Sequence, residues 1–312
     1  MANYLVTGGA GFIGSNLVEH LLERGDVVRV LDNFATGRRE NIAPFLDQIE
    51  LIEGDLRNPE DCTRACDDMD YVLHQAALPS VARSVEDPLD CNAVNVEGTL
   101  NLLQACREAE VRRVVYAASS SAYGDQPAEF KVESMAPRPR SPYAVAKLAA
   151  EHYMQAFAVC YGMETVCLRY FNVFGPRQDP NSQYSAVIPK FIRAALNGQR
   201  PVVYGDGLQS RDFTFIANNV QANILAATAD FEARGQAINI ACGRSYSLLD
   251  LLAAIEKILD IKLEPEFTHP RAGDVKHSKA GIALARDTFG YEVGISFEEG
   301  LSRTIDWLRN HD

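Results

Sequence analysis

The sequence has no uninterrupted apolar stretch long enough to span a membrane. It also lacks the basic segment and following apolar core of a secretory signal peptide, because a short strand-like run, Tyr4-Leu5-Val6, comes almost at once. These absences predict a chain without a membrane segment. A cytoplasmic location is the default expectation.

An excess of positive charge is missing as well. The formal net charge is −12 at pH 7 and the sequence pI is ≈ 5.0. Nucleic-acid-binding proteins present a basic face, so this charge argues against nucleic acid as a partner. A small anionic ligand could still bind through local arginines and helix N-termini.

The seven cysteines include no pair in the CxxC spacing of redox and zinc motifs. Cys62 and Cys66 are four residues apart, but no second pair of ligands accompanies them. We therefore expect reduced and mostly buried thiols, and we predict no metal site.

What the sequence does contain is a regular alternation of strand and helix patterns in its first half. This alternation predicts an α/β fold in which right-handed crossovers build a doubly wound parallel sheet. The second half is less regular. The predicted strands are 3–7, 27–31, 50–53, 71–74, 112–117, 164–169, 201–204 and 237–241, and the predicted helices are 12–24, 59–67, 93–109, 143–161, 185–198, 217–229, 247–259 and 297–310.

A glycine turn connects the first strand to the first helix. Gly8, Gly11 and Gly14 allow a tight turn and a close approach of the backbone to a pyrophosphate, which the helix N-terminus would then face. Asp32 ends the second strand, where an acid can bind the adenine-ribose hydroxyls and repel a 2′-phosphate. The pattern favours NAD over NADP, although two arginines follow at 38–39.

These features predict two domains. Residues 1–171 would form an NAD-binding Rossmann domain, and residues 172–312 would form a smaller α+β substrate-binding cap. A segment near 208–240 is expected to pack back on the first domain.

Polar or small residues follow the strand ends, where open α/β sheets bind ligands. Asp55 comes after the third strand, near the expected adenine edge. Residues 75–77, Gln-Ala-Ala, follow the fourth strand and leave room for the cofactor, whereas His74 is interpreted as structural. Three serines, Ser119 to Ser121, end the next strand.

Tyr143 and Lys147 lie four residues apart, after a Ser-Pro pair that is typical of a helix start. Their side chains would therefore share one helix face. A nearby cation favours the phenolate, and lowering a tyrosine pKa from ~10 to near 7 takes about 4 kcal/mol. With Ser119, the pair forms a hydroxyl, phenol and ammonium set that could move a proton beside one cofactor.

At this point the sequence resembles the extended short-chain dehydrogenases/reductases, in their nucleotide-sugar epimerase branch. The resemblance covers nearly the whole chain. It rests on residues 7–14, 55–56, 75–77, 95–99, 118–124, 143–147, 168–176, 205–207, 210–213 and 271–274.

The resemblance implies a mechanism and a bound NAD. Tyr143 would remove the proton of the sugar 4-OH while the C4 hydride passes to NAD, and hydride would return to the other face of the 4-keto sugar. Lys147 would lower the phenol pKa, and Ser119, with Ser120 as its rival, would bind the 4-oxygen. The implied NAD contacts are Gly8, Gly11, Phe12, Ile13, Gly14, Asp32, Asn33, Asp55, Leu56, Gln75, Ala76, Ala77, Asn95, Tyr143, Lys147 and Tyr170.

The resemblance also implies a UDP-sugar partner and a homodimer formed through the helices near 93–109 and 143–161. Arginines suit the diphosphate because they give forked, charge-assisted hydrogen bonds. The implied substrate contacts are Ser80, Ser121, Asn172, Gln178, Val187, Tyr204, Arg211, Arg271, Asp274 and Ser278.

The residues that follow Ser119 indicate which enzyme of this branch the sequence resembles most. Nucleotide-sugar 4,6-dehydratases carry an Asp-Glu pair where this chain has Ser120 and Ser121, and the Glu of UDP-glucuronate decarboxylases is absent too. A 4-epimerase fits best. Ser278 matches a wall position where a small residue admits a 2-acetamido group, which predicts UDP-GlcNAc/UDP-GalNAc interconversion, with UDP-Glc/UDP-Gal as further substrates.

Alternatives stay open at this point. Ser278 could be only a helix cap. The enzyme could be a UDP-glucuronate 4-epimerase or another nucleotide-sugar oxidoreductase on the same scaffold. A non-enzymatic NAD-binding sensor is disfavoured, because a sensor does not need the proton chain of Ser119, Tyr143 and Lys147.

Overall fold

The computed structural model describes residues 1–179, 187–269 and 276–311. Its helices are α1 (Phe12–Glu23), α2 (Arg39–Ile42), α3 (Pro59–Cys66), α4 (Val81–Glu86), α5 (Pro88–Asn92), α6 (Gly98–Glu108), α7 (Pro142–Tyr161), α8 (Val187–Leu196), α9 (Ile216–Thr228), α10 (Leu248–Leu259), α11 (Ala283–Phe289) and α12 (Phe297–His311). A π-helical segment, Ala93–Glu97, precedes α6, and 3₁₀ turns span Ala43–Gln48 and Ser120–Tyr123.

The strands in the described residues form one large sheet and three small ones. They are β1 (Asn3–Thr7), β2 (Val27–Asp32), β3 (Glu50–Glu53), β4 (Tyr71–His74), β5 (Arg113–Ser119), β6 (Glu164–Tyr170), β7 (Val173–Phe174), β8 (Val202–Tyr204), β9 (Ser210–Arg211), β10 (Thr214–Phe215), β11 (Arg234–Ile240), β12 (Tyr246–Ser247), β13 (Glu266–Thr268) and β14 (His277–Ser278).

The large sheet has seven parallel strands in the order β3-β2-β1-β4-β5-β6-β11. The predicted doubly wound parallel sheet is therefore confirmed. The chain reverses its direction of growth between β1 and β4, and such a switch point opens a crevice at the carboxyl ends of the strands.

Both faces of this sheet are buried, as is usual for parallel strands. Successive residues of β1 point to opposite faces: Tyr4 and Val6 belong to the core that includes α1 and α9, whereas Leu5 belongs to the core of α3, α6 and α7. The apolar runs seen in the sequence are thus core strands covered on two sides.

The second half of the chain contributes to both parts of the molecule. β11 pairs with β6 as an edge of the large sheet, and α9 packs against β4, β5 and β6. β11 begins at Arg234, earlier than the predicted strand at 237–241, and its pairing with β6 shifts register between Arg234 and Ala237. The other described elements after β6 form three small sheets, β7 with β10, β12-β9-β14, and β8 with β13, accompanied by helices.

The sequence prediction missed α2, α4, α5 and α11, which are too short to show a helical period. All seven cysteines are free, and five of them are buried, as predicted. Among the described residues, no helix has the length and apolar character needed to cross a membrane.

A buried ion pair joins α7 to β6. Arg169 Nη2 lies 2.7 Å from Glu151 Oε2, Arg169 Nε also donates to this carboxylate, and both side chains are only 5% exposed. Burial opposes the charge of Arg169, but the hydrogen bonds that Arg169 donates to Glu151 hold the pKa of Arg169 above its usual range. Removing one partner would leave an uncompensated charge in the core.

We expect Glu151→Gln to lower the free energy of unfolding by about 3 kcal/mol, because Arg169 loses its counter-charge in a buried site. Urea unfolding of variant and wild type measures this. The matched control is Glu232→Gln, which breaks the exposed pair of Glu232 and Arg234 and should cost about 1 kcal/mol or less. Equal losses in the two variants would contradict the assignment.

Candidate active site

A cavity of about 720 Å³ opens at the carboxyl ends of the sheet strands, within the range typical of small-molecule sites. Most of the predicted cofactor residues line it. These are Gly8, Gly11, Phe12, Ile13, Gly14, Asp32, Asn33, Asp55, Leu56, Gln75, Ala76 and Ala77, together with Ser80 and Gln178 from the predicted substrate set.

The glycine turn needs glycine for steric reasons. Gly8 has φ +67°, and a Cβ there would lie 2.7 Å from the backbone nitrogen of Ala76. A Cβ on Gly14 would lie 2.1 Å from the carbonyl oxygen of Gly8. Gly11 precedes α1 without a side-chain cap, so the helix presents its first N–H groups with no protein side chain over them. The turn fits a diphosphate.

Asp32 forms the wall of the cavity at the end of β2. Its Oδ2 accepts a hydrogen bond from Ala10 N at 2.9 Å and its Oδ1 accepts one from Phe34 N at 2.8 Å. Burial raises the pKa of this carboxyl above its usual range, and the two N–H donors partly offset that. The carboxylate is held in place beside the cavity, as expected for a ribose-binding acid.

The two nearby arginines are already paired with acids. Arg38 lines the cavity and lies 3.6 Å from Asp179 and 3.4 Å from Glu40, whereas Arg39 pairs with Glu53 at 2.6 Å. Each arginine therefore already has a carboxylate partner that a 2′-phosphate would have to displace. The geometry therefore fits NAD better than NADP.

Asp55 lines the cavity just beyond the end of β3. Hydrogen bonds from Arg57 hold the pKa of this carboxyl at about 2, with burial opposing them. Asn33 Nδ2 also donates to Asp55 Oδ2 at 2.8 Å. The hydrogen bond between Asn33 and Asp55 fixes the position of two polar side chains in the lining of the cavity.

Four of the predicted cofactor residues, Tyr143, Lys147, Asn95 and Tyr170, are not among the residues that line this cavity, and neither are Ser119 and Ser120. Asn95 Oδ1 accepts from Leu78 N at 2.8 Å and its Nδ2 donates to Leu78 O at 3.2 Å. The Tyr170 hydroxyl bonds to Gln75 and to Asn223. The polar groups of Asn95 and Tyr170 are thus hydrogen-bonded to protein groups, and these bonds hold the lining residues Leu78 and Gln75 in place.

Ser119 is the serine that meets the Tyr143 phenol, and a hydrogen bond joins the two side chains. Ser119 Oγ also accepts from Ser121 N at 3.2 Å and from Ser121 Oγ at 2.8 Å. A hydroxyl has a single proton to donate. Because its acceptor sites are filled by Ser121, Ser119 is oriented to donate to the phenol oxygen.

Lys147 does not produce the predicted lowering of the phenol pKa in the protein alone. Its Nζ donates to Ala117 O at 2.8 Å and lies 4.8 Å from the centre of the Tyr116 ring. Burial raises the pKa of Tyr143 to about 12, with the Ser119 hydrogen bond opposing it, and burial lowers the pKa of Lys147 to about 8. Desolvation disfavours the charged form of each group, and it outweighs the effect expected from the four-residue spacing.

Ser84 is a site residue that the sequence analysis missed. It is buried on α4, and its Oγ accepts from Tyr143 N at 3.1 Å. With the Ser141 cap, which accepts from Ala144 N, it fixes the first turn of α7 and so the phenol. The missed helix α4 hid this contact, and only the Ser80 capping pattern could have revealed the helix.

The predicted substrate residues lie in several places. Ser278 on β14 is the register partner of Arg211 on β9, so it is a strand residue and the helix-cap alternative is excluded. Asn172 has φ 30° and donates to Asp212 O, Val187 begins α8, and Tyr204 ends β8. Arg271 and Asp274 lie outside the described residues.

His74 is structural, as predicted. Its two ring nitrogens bond Thr7 Oγ1 at 2.7 Å and Thr99 Oγ1 at 3.0 Å, and burial lowers its pKa to about 3. Within the part of the chain that the structure describes, no three His, Cys, Asp or Glu side chains gather in a way that could hold a metal ion.

Comparison with known proteins agrees with this geometry. The model of the NAD dependent epimerase/dehydratase family matches residues 4–241. A UDP-N-acetylglucosamine 4-epimerase from Methanobrevibacter ruminantium M1, solved with UDP-N-acetylmuramic acid, is 41% identical over 100% of this chain and 99% of its own, with a TM-score of 0.95.

Two further solved structures are similar over the same length. A UDP-glucose 4-epimerase from Thermus thermophilus, complexed with NAD, is 38% identical over 99% of this chain and 100% of its own (TM-score 0.90). A UDP-glucuronic acid 4-epimerase from Bacillus cereus, also solved with NAD, is 31% identical over 99% and 100% (TM-score 0.92). Because the family model covers more than half of the residues and these similarities run from end to end, the chain belongs to the NAD dependent epimerase/dehydratase family.

Proposed function

We propose that this protein is a UDP-sugar 4-epimerase, an isomerase that interconverts UDP-GlcNAc and UDP-GalNAc and keeps its NAD throughout the cycle. The hydrogen-bonded Ser119 and Tyr143, with Lys147 one helical turn along α7, are the observation that carries the proposal. The similar structures include named 4-epimerases for three different UDP-sugars, which supports the reaction more strongly than the sugar.

The residues of the chain handle the proton. The Tyr143 phenolate would take the proton of the sugar 4-OH and later return it, which makes this residue both base and acid. Ser119 would donate to the oxygen that carries the negative charge at each stage. NAD, when bound, supplies the acceptor and donor of the C4 hydride.

For Tyr143 to ionise at neutral pH, a positive charge must lie near the phenol in addition to the groups that the protein places there. Burial raises the pKa of the phenol to about 12 even with the Ser119 hydrogen bond opposing it, so the side chain without further positive charge would be protonated at neutral pH. Oxidised NAD carries a positive charge on its nicotinamide ring. The hydrogen bond from Lys147 to Ala117 O holds the lysine near the carboxyl end of β5, which also carries Ser119. Together these charges would favour the phenolate only while the cofactor is oxidised.

Elimination of water is not supported by the side chains around Ser119. Ser121 is a neutral hydroxyl that donates to Ser119, so it offers neither an acid for the leaving hydroxyl nor a base for the C5 proton. A plain return of the hydride at C4 matches the groups present.

Residues that follow β7 would help to retain NAD. Arg177 and Asp179 line the cavity, and Arg177 pairs with Glu19 of α1 while Asp179 pairs with Arg38. These ion pairs hold the segment after β7 against residues of the cofactor-binding half. Slow loss of the cofactor is what an enzyme that ends each cycle with the same NAD requires.

The test is to incubate purified protein with UDP-GlcNAc, UDP-Glc and UDP-GlcA without added NAD, and to follow the products by NMR. We expect UDP-GalNAc to form from UDP-GlcNAc. Tyr143→Phe should be about 100-fold slower or worse, because the base is lost, and should keep its NAD. Tyr153→Phe on the same helix is the control and should keep the wild-type rate.

Absence of any C4 epimer with the wild-type protein would rule out the proposed reaction. Turnover of UDP-GlcA alone would assign the protein to UDP-glucuronate epimerisation, the alternative raised by the Bacillus cereus similarity. A Tyr143→Phe variant with wild-type activity would remove Tyr143 from the role of base.

The preference for N-acetylated sugars depends on the small side chain of Ser278. Ser278→Tyr should reduce kcat/KM for UDP-GlcNAc about 100-fold, because the ring would occupy the space of the acetamido group. UDP-Glc has no such group and should be affected much less. Parallel losses for both sugars would show that Ser278 does not face the sugar C2 position.

We also propose that two copies pair through α6 and α7. A groove between these helices is lined by apolar and polar side chains, and Val159 and Tyr161 nearby are 76% and 53% exposed. A two-fold axis would cover this groove with its own counterpart. Light scattering should give twice 34.4 kDa, and Ala156→Glu should give a monomer. A monomeric wild type would contradict the proposal.

A further inference from the structure

The three residues after Ser278, Lys279 to Gly281, are clamped against a loop that follows the catalytic serines. Gly281 N donates to Lys131 O at 2.9 Å, and Lys131 N donates to Lys279 O at 2.7 Å. Lys131 and Ala280 form an isolated parallel bridge. The loop that carries Lys131 follows the 3₁₀ turn Ser120–Tyr123 along the chain. Backbone contacts therefore join the residues after Ser278 to the loop that follows the serine turn.

A single buried amide, Asn239 on β11, joins the two sides. Its Oδ1 accepts from the Tyr123 hydroxyl at 2.7 Å, and its Nδ2 donates to Lys131 O at 3.0 Å and to Gly281 O at 3.2 Å. Its backbone N donates to Glu133 Oε1 at 2.8 Å. The side chain has 0% exposure, so no water competes for these groups.

Asp212 binds the middle one of these three residues, Ala280. It follows Arg211 and is fully buried, with Oδ2 accepting from Ala280 N at 3.2 Å and Oδ1 from Cys242 N at 2.9 Å. Its carbonyl oxygen accepts from Asn172 Nδ2 at 3.3 Å. Asp212 therefore connects Arg211 and Asn172, both predicted substrate contacts, to the residues that follow Ser278.

These contacts form one continuous relay. It runs from Ser119 through the 3₁₀ turn to Tyr123, then through Asn239 to Gly281, and through Ala280 to Asp212 and Arg211. Tyr123, Asn239, Ala280 and Asp212 are buried and hydrogen-bonded, which leaves little freedom for one end of the relay to move without the other. Catalytic geometry is sensitive to shifts of about 1 Å, which can cost about 100-fold in rate.

We infer that Asn239 and Asp212 are positioning residues that set the distance of Ser278 and Arg211 from the Ser119–Tyr143 pair, and thereby set how well the site accepts a sugar with a 2-acetamido group. This inference rests on the proposed epimerase function. Neither residue needs to touch the sugar. Their effect would pass through Ser278, whose place relative to the sugar C2 position decides the space available.

The test removes one hydroxyl. Tyr123→Phe deletes the donor to Asn239 and leaves the ring packed against Phe171. Tyr291→Phe is a matched control, because the Tyr291 hydroxyl is also buried and donates to Ala241 O at 2.9 Å, just beyond β11, but takes no part in the relay. Both variants lose a single buried hydrogen bond at nearly the same place in the fold.

Two measurements are compared. Hydrogen exchange should become about 10-fold faster for the amides of Ala280 and Gly281 in Tyr123→Phe, because the amide that anchors them can now rotate. The ratio of kcat/KM for UDP-GlcNAc to that for UDP-Glc should change about 10-fold in this variant. Tyr291→Phe should leave the ratio and the exchange of these two amides within about 2-fold of wild type.

The outcomes separate the claims. An unchanged sugar ratio in Tyr123→Phe, or the same change in Tyr291→Phe, overturns the positioning role and leaves the epimerase proposal intact. A wild-type protein that turns over no UDP-sugar overturns the epimerase proposal and this inference with it, while the exchange data still report whether the relay clamps residues 279–281. A shift in both measurements confined to Tyr123→Phe supports the inference.

Discussion

Burial of the Tyr143 phenol beside Ser119 is the constraint on which the rest of the site depends. In water the phenol would ionise near pH 10, but desolvation raises its pKa to about 12. The proposed base therefore lies in an environment that favours its protonated form. Only added positive charge and a hydrogen bond donated by Ser119 can make it a base, so proton removal becomes linked to the state of the cofactor.

The fold meets this constraint by bringing three elements to one point. β5 delivers Ser119 at its carboxyl end, α7 delivers Tyr143 in its first turn, and Ser84 of α4 holds that turn by its backbone. The Glu151–Arg169 pair fastens the same helix to β6 farther along. A rigid helix is needed here because a buried proton donor and acceptor tolerate little misplacement.

The sequence predicted the sheet and the cofactor turn well, because both leave local signals. Apolar strands with β-branched residues, the spacing of Gly8, Gly11 and Gly14, and Asp32 at a strand end can each be recognised within a few residues. It did not predict the partners of buried polar groups. Asn95 and Tyr170 were predicted as cofactor contacts, but their hydrogen bonds to Leu78, Gln75 and Asn223 were not predicted, and Ser84 and Asn239 were not singled out. Their roles arise from contacts between distant segments, and a single sequence does not show which buried amide meets which hydroxyl.

The central claim is that the hydrogen at the sugar C4 leaves and returns within one bound complex. The most direct measurement uses UDP-GlcNAc deuterated at C4, with purified protein in ordinary water and no added NAD. The account predicts that UDP-GalNAc forms with the deuterium still at C4, since the hydride never exchanges with solvent. Epimer formed with hydrogen from water at C4 would contradict it, because the reaction would then proceed by proton exchange at carbon.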